Sequence, residues 1–268
     1  MGELTGLRAG ATMGSMAARH RLTAAGLSIL LAAALAAPLT TAAAAKPFRM
    51  NLGDRTDFVR QYDPNWCIAA SMQMMLNIVL PRKNDASRKT QTALIELARS
   101  FKRSASSATG STPSLPTNFK PRGASGRGWA MGLTKLGAGH YRITSAPTFE
   151  SAVELVARSI RATGRPAGIV VWNGTHAWVV SGFEATADPL TSAAFDVTAL
   201  VVMDPWYPRS TRAYGASPKP MTTLSVRELK KEYQPWSRPN RTSANTGRYV
   251  LLIPYEPTRT MNRLADAG

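Results

Sequence analysis

The sequence predicts an α+β fold in which a buried helix packs on an antiparallel β-sheet. Residues 67–80, "CIAASMQMMLNIVL", are apolar on nearly every side, which is typical of a buried helix. Later in the chain, "AGIVVW", "HAWVVSGFEA" and "FDVTALVVMD" are rich in β-branched and aromatic residues, which favours strands. Helices that come early and strands that come late indicate a segregated α+β architecture.

Residues 1–45 are expected to be a secretory signal peptide. Three arginines and His20 precede or adjoin the apolar stretch Leu22–Leu39, and small residues follow as far as Ala45, where we place the cleavage site. The small residues favour cleavage over a retained membrane anchor. We therefore expect a secreted, extracytoplasmic protein of bacterial type whose mature chain begins near Lys46.

Residues 46–268 have the length of a single domain with a full core, and no internal repeat is visible. Residues 1–45 hold three Arg and one Glu, so the formal charge of +17 becomes +15 without them. Such a charge either allows contact with anionic cell-envelope polymers or only keeps the surface soluble. The basic residues are scattered and are not interleaved with aromatic residues, so we expect no specific nucleic-acid partner.

Further elements follow from local patterns along the chain. Residues 46–66 look irregular, and Pro81 should end the first helix. The stretch from about 104 to 127 is rich in Ser, Gly and Pro, which predicts a flexible surface loop. Thr148 is the expected N-cap of a clear amphipathic helix. The remaining predictions are helices within 87–103, 128–139 and 223–233 and a last strand at 248–256.

Cys67, the only cysteine in the chain, opens the predicted buried helix. Unpaired N–H groups and the helix dipole at such a position favour a thiolate. Gln61 lies six residues earlier, on a loop in which Asp63-Pro64 fixes a turn, so its amide can return beside the backbone N–H of the cysteine. Together these two groups would supply two donors to an oxyanion. The competing interpretation is a buried structural thiol that packs as a small hydrophobe.

A base for this thiol has two candidates in the mature chain, His140 and His176. His176 opens a strand, which would hold it rigidly, whereas His140 lies at a helix-to-strand junction and is the weaker candidate. Asp204 ends a hydrophobic strand and can orient the imidazole, although a turn cap is its alternative role. Asp196 competes with it but lies where its strand starts. Two histidines and one cysteine are a poor set of ligands for zinc, so we expect no metal.

This combination resembles the papain-like cysteine peptidases, and within them the double-glycine, bacteriocin-processing branch in a secreted form. In that branch a Gln precedes the Cys by six residues, and a His followed by hydrophobic residues and Gly precedes Asp-Pro. The matching positions here are Gln61, Cys67, His176, Gly182, Asp204 and Pro205. The resemblance covers about residues 57–206. Two departures concern the shape of the subsites: Ile68-Ala69 replaces the usual Gly-Pro, and the segment between His176 and Asp204 is long.

The resemblance implies a papain-like fold and a secreted thiol hydrolase that cleaves peptide or related amide bonds in a peptide or protein substrate. Cys67, His176 and Asp204 would form the catalytic triad, with Gln61 as the oxyanion donor. A transglutaminase-like acyltransferase is one alternative, since it uses Cys, His and Asp in the same order. An inactive, basic cell-envelope binding protein is another. We expect a monomer with no cofactor and no transmembrane segment in the mature chain.

Overall fold

The computed structural model describes residues 46–81, 84–101, 123–238 and 243–257. The signal peptide predicted at 1–45 and most of the predicted loop, residues 104–122, lie outside these ranges. In the described part of the chain the α-helices are α1 (Cys67–Val79), α2 (Arg88–Ser100), α3 (Gly126–Lys135), α4 (Phe149–Thr163) and α5 (Val226–Glu232). The strands are β1 (Phe48–Asn51), β2 (His140–Ala146), β3 (Ala167–Val171), β4 (His176–Ala185), β5 (Val197–Met203), β6 (Ser210–Thr211), β7 (Gly215–Ala216), β8 (Thr222–Ser225) and β9 (Tyr249–Tyr255).

The main sheet has seven strands, which pair in an antiparallel manner. Six of them follow the order β2-β9-β3-β4-β5-β8, and β4 is the longest. β3 pairs with the first half of β4, where Ala167 lies opposite Val180, and β1 pairs with the second half, where Asn51 lies opposite Gly182. β6 and β7 form a separate small hairpin. The helices and this antiparallel sheet confirm the predicted α+β class.

Helices cover both faces of the sheet, because side chains alternate across β4 between two hydrophobic clusters. Ala177 and Val179 pack with α1, α2 and α3 on one face. Trp178, Val180 and Phe183 pack with α4 and α5 on the other face. The predicted buried helix is therefore α1, and the sheet also carries a helical layer on its opposite face that the sequence pattern did not indicate.

The helix boundaries agree with the local signals where capping residues mark them. Thr148 caps α4, and its hydroxyl accepts a hydrogen bond from the backbone N–H of Ser151 in a capping box. Gly164 ends this helix in the left-handed conformation, with φ of 63°. α1 begins at Cys67 and stops two residues before Pro81, as the sequence predicts.

Three expectations about the elements were wrong in detail. The segment 46–66 is not wholly irregular, because β1 forms at Phe48–Asn51 by pairing with β4. The predicted helix at 223–233 starts later, because residues 222–225 pair with β5 as β8 and Ser225 then caps α5. The predicted loop ends before residue 127, because Ser125 caps α3 and the helix begins at Gly126.

Gly182 has a structural reason to be glycine. A Cβ at this position would lie 2.3 Å from the carbonyl oxygen of Met50 and 2.8 Å from the Cα of Asn51. The register of β4 against β5 also shifts between Val180 and Gly182. The absence of a side chain therefore lets β1 approach the second half of β4 closely.

Candidate active site

Cys67 lies at the first position of α1, with its side chain half-buried beside the start of β4. The sulfur lies close to the His176 ring and to the backbone N–H groups of Ala177 and Ile68, and all three favour its thiolate form. Burial raises the pKa of the thiol, but the hydrogen bond and charge of His176, together with the two N–H donors, outweigh it. The net result is a Cys67 pKa below its ordinary value.

His176 and Asp204 meet because β4 and β5 are antiparallel neighbours. Val179 lies opposite Met203, so the start of β4 lies beside the end of β5. His176 Nε2 donates to Asp204 Oδ1 at 2.6 Å, and the side chains are only 5% and 0% exposed, respectively. Since Nε2 is bonded to the carboxylate, Nδ1 is the ring nitrogen left for the contact with Cys67. The imidazole therefore bridges the thiol and the carboxylate.

The protonation states of these groups are coupled. Burial lowers the pKa of His176, but its interactions with Asp204 and Cys67 raise it by more. The net result is a His176 pKa of about 9, above its ordinary value. The same contact lowers the pKa of Cys67. The contact between Cys67 and His176 therefore favours a thiolate–imidazolium pair relative to two separate side chains.

Gln61 lies beside the end of β5, and its side-chain amide is buried. Its backbone N–H donates to the carbonyl of Pro205 at 2.8 Å, directly after Asp204 in the chain. Its side chain is 1% exposed, and Nε2 donates to the carbonyl of Asp63 at 2.9 Å. Oε1 is buried with no protein partner among the described residues. An amide nitrogen carries two hydrogens, so one donor remains beyond the bond to Asp63.

The two competing candidates lie elsewhere. His140 is exposed at the start of β2, where its ring is 5.7 Å from that of Tyr255, and β9 and β3 separate β2 from β4. Asp196 is exposed at the start of β5, at the opposite end of that strand from Asp204. The structure therefore brings Cys67 together with His176 and Asp204 and with neither competitor.

A layer of aromatic side chains behind the imidazole was not predicted from the sequence. The indole of Trp172 is stacked on the ring of His176, with a centroid distance of 4.1 Å and an interplanar angle of 16°. Tyr214 stacks on the other side of Trp172 at 5.0 Å and 6°. The indole Nε1–H donates to Glu232 Oε2 at 2.7 Å. The predicted strand ending in Trp172 in fact stops at Val171, because the chain then turns.

Within the described residues, no group of three or more His, Cys, Asp or Glu side chains is arranged to hold a metal ion. In the same part of the chain no helix has the length and apolar character needed to cross a bilayer. Comparison of the sequence with models of known protein families and with curated proteins finds no match. The functional interpretation therefore rests on the chemistry of the residues themselves.

Proposed function

We propose that this protein is a secreted thiol hydrolase of the papain-like type, which cleaves peptide or related amide bonds. The observation that carries the proposal is that His176 lies close enough to Cys67 to lower the pKa of the thiol and is hydrogen-bonded through Nε2 to Asp204. A nucleophile within reach of a base, with that base oriented by a third group, is the arrangement that covalent acyl-transfer catalysis needs.

Each group has a defined step in this mechanism. The Cys67 thiolate attacks the carbonyl carbon of the amide, which forms a C–S bond and places negative charge on the carbonyl oxygen. The His176 imidazolium gives its proton to the amine nitrogen as the C–N bond breaks, which leaves an acyl-enzyme thioester. Neutral His176 then takes a proton from water, whose oxygen attacks the thioester carbonyl; the C–S bond breaks, which releases the acid and restores the Cys67 thiolate. Asp204 keeps the imidazole in the required orientation and tautomer.

Gln61 is the proposed oxyanion donor, through the Nε2 hydrogen that Asp63 does not use. The hydrogen bond between the Gln61 backbone and Pro205 ties the loop to the strand that carries Asp204. Burial of the amide favours the role, because a donor fixed in a site of low polarity stabilises developing charge more strongly than a solvated one. The backbone N–H of Cys67 is the proposed second donor.

The direct test is incubation of the purified protein with casein, in the presence and absence of a primary amine. We expect new peptide termini in both reactions, no incorporation of the amine, and loss of activity in Cys67→Ala. Incorporation of the amine in place of hydrolysis would instead identify an acyltransferase. Undiminished cleavage by Cys67→Ala would show that another group carries out the reaction.

A further inference from the structure

We infer that Trp172 is a positioning residue for His176 and that Glu232 acts on the imidazole through the Trp172 indole. The inference rests on the proposed function only for its kinetic consequence, because the effect on His176 is measurable without any substrate. The contacts that carry it are the parallel stack of Trp172 on His176 and the hydrogen bond from Trp172 to Glu232.

The stacking geometry favours the charged form of the imidazole. An aromatic face attracts a cation that lies within about 6 Å of the ring centroid, and the attraction is stronger when the groups are desolvated. Trp172 and His176 are 8% and 5% exposed, so solvent screens this contact little. The Glu232 carboxylate, as acceptor of the indole N–H, adds electron density to the ring and strengthens the same attraction.

The backbone around Trp172 is held in a conformation that large residues rarely adopt. Trp172, Asn173 and Gly174 have φ of 54°, 55° and 90° in succession. For a tryptophan this is a strained conformation, and such strain persists only where surrounding contacts impose it. Ser237 donates to the Asn173 carbonyl at 3.1 Å, and Arg238 Nε donates to the Gly174 carbonyl at 2.8 Å.

The side chains of this turn are fixed as well. Asn173 Nδ2 donates to the Tyr214 hydroxyl at 3.2 Å, and the Tyr214 ring covers the outer face of Trp172. A Cβ at Gly174 would lie 2.0 Å from Trp236 Cδ1, so the turn packs closely against the segment after α5. The indole is therefore clamped between the tyrosine and the imidazole, and the imidazole ring cannot tilt towards the face that the indole covers.

The ionisable groups around the imidazole lie on three elements. Cys67 at the start of α1 and Asp204 after β5 are its immediate neighbours, and Asp204 is hydrogen-bonded to it. Glu232 on α5 faces it through Trp172, and Lys231 lies next to Glu232 in the chain. Burial has the largest effect on the pKa of Glu232 and raises it, as does the charge of Asp204. The Trp172 hydrogen bond and the charges of His176 and Lys231 lower it, and the net pKa is above its ordinary value.

The test is an NMR titration of the histidine rings in the full chain, which contains only His20, His140 and His176. We expect Trp172→Leu to lower the pKa of His176 by about 0.4 to 1.5. This range is the free energy of a typical cation–π contact expressed as a change in pKa. Trp172→Phe keeps an aromatic face but loses the N–H donor, so we expect a smaller decrease.

Glu232→Gln tests the second half of the inference, since it removes the charge and keeps an oxygen acceptor for the indole. We expect a lower His176 pKa than in the wild type. Glu228→Gln is the matched control: it removes a carboxylate from the same helix, one that bonds to Ser225, and it should leave His176 unchanged. An unchanged His176 pKa in Glu232→Gln would overturn the role of Glu232.

An unchanged His176 pKa in folded Trp172→Leu would overturn the role of Trp172. If Trp172→Leu does not fold, Trp172→Phe decides, and a pKa equal to that of the wild type would overturn the inference. Where hydrolysis is measurable, kcat should fall in Trp172→Leu with little change in KM, since the indole is buried against the imidazole and exposes little surface to a substrate. If the variants show the expected pKa decreases but the wild type does not hydrolyse peptides, only the proposed function is contradicted.

Discussion

Replacement of Asp204 is the change whose consequences the structure defines best. Its Oδ1 accepts from His176 Nε2 at 2.6 Å and from the backbone N–H of Trp206 at 2.8 Å, and the side chain is fully buried. Asp204→Asn removes the charge but keeps an oxygen acceptor for both donors. Asp204→Ala removes the charge and both hydrogen bonds.

The size of the effect follows from the hydrogen bond to the imidazolium. A hydrogen bond to a charged group contributes about 1.5–3 kcal/mol, and 1.36 kcal/mol corresponds to one pKa unit. Loss of the carboxylate should therefore lower the pKa of His176 from about 9 to roughly 7–8. The sign is fixed, because a carboxylate favours the protonated imidazole and its removal favours the neutral one.

The assay is the pH dependence of kcat/KM for hydrolysis. His176 must be protonated to release the amine, so activity of the wild type should fall near pH 9 as the imidazolium loses its proton. In both variants this alkaline limb should move to roughly pH 7–8. Asp204→Ala should also have a lower but measurable kcat, because its imidazole is no longer oriented. An alkaline limb that stays near pH 9 in folded Asp204→Ala would refute the coupling between the two residues.

Four further substitutions give separate tests. Gln61→Ala should lower kcat by about 10²–10³ with little change in KM in the folded variant, and an unchanged kcat would remove Gln61 from the site. His176→Ala should nearly abolish hydrolysis, whereas His140→Ala should leave the rate close to that of the wild type; the reverse order would contradict the assignment of the base. Gly182→Ala should lower the free energy of unfolding by about 1–3 kcal/mol in urea titrations, because its Cβ would collide with the Met50 carbonyl. Unchanged stability would mean that β1 can shift at little cost.

Much of the fold could be predicted because local signals and the final structure agree there. The capping residue Thr148, the apolar run after Cys67 and the β-branched run of β4 each favour one local structure, and packing does not change it. β1 could not be predicted, because its four residues, two half-buried and two exposed in alternation, are too short a pattern on their own. Its pairing depends on Gly182, more than 130 residues away in the chain.

The site divides in the same way. Rarity identifies Cys67 and His176, since the chain has one cysteine and three histidines, and strand position identifies Asp204. The aromatic layer gives no such signal. The Asn-Gly after Trp172 indicates a turn, but nothing in the sequence relates Trp172 to Glu232, which lies 60 positions later and meets it only in the folded chain. Contacts of this kind are set by tertiary packing.

The most direct test of the triad is the rate at which iodoacetamide alkylates Cys67 at about pH 6. At that pH a free thiol with a pKa near 8.5 is only about 0.3% thiolate, whereas the lowered pKa of the thiol beside His176 should leave a larger fraction of it ionised. We expect alkylation at least about tenfold faster than that of free cysteine, mapping to Cys67, with hydrolysis lost in proportion to the label. Alkylation no faster than that of free cysteine, or full hydrolysis by the labelled protein, would contradict the assignment of Cys67 as an activated nucleophile.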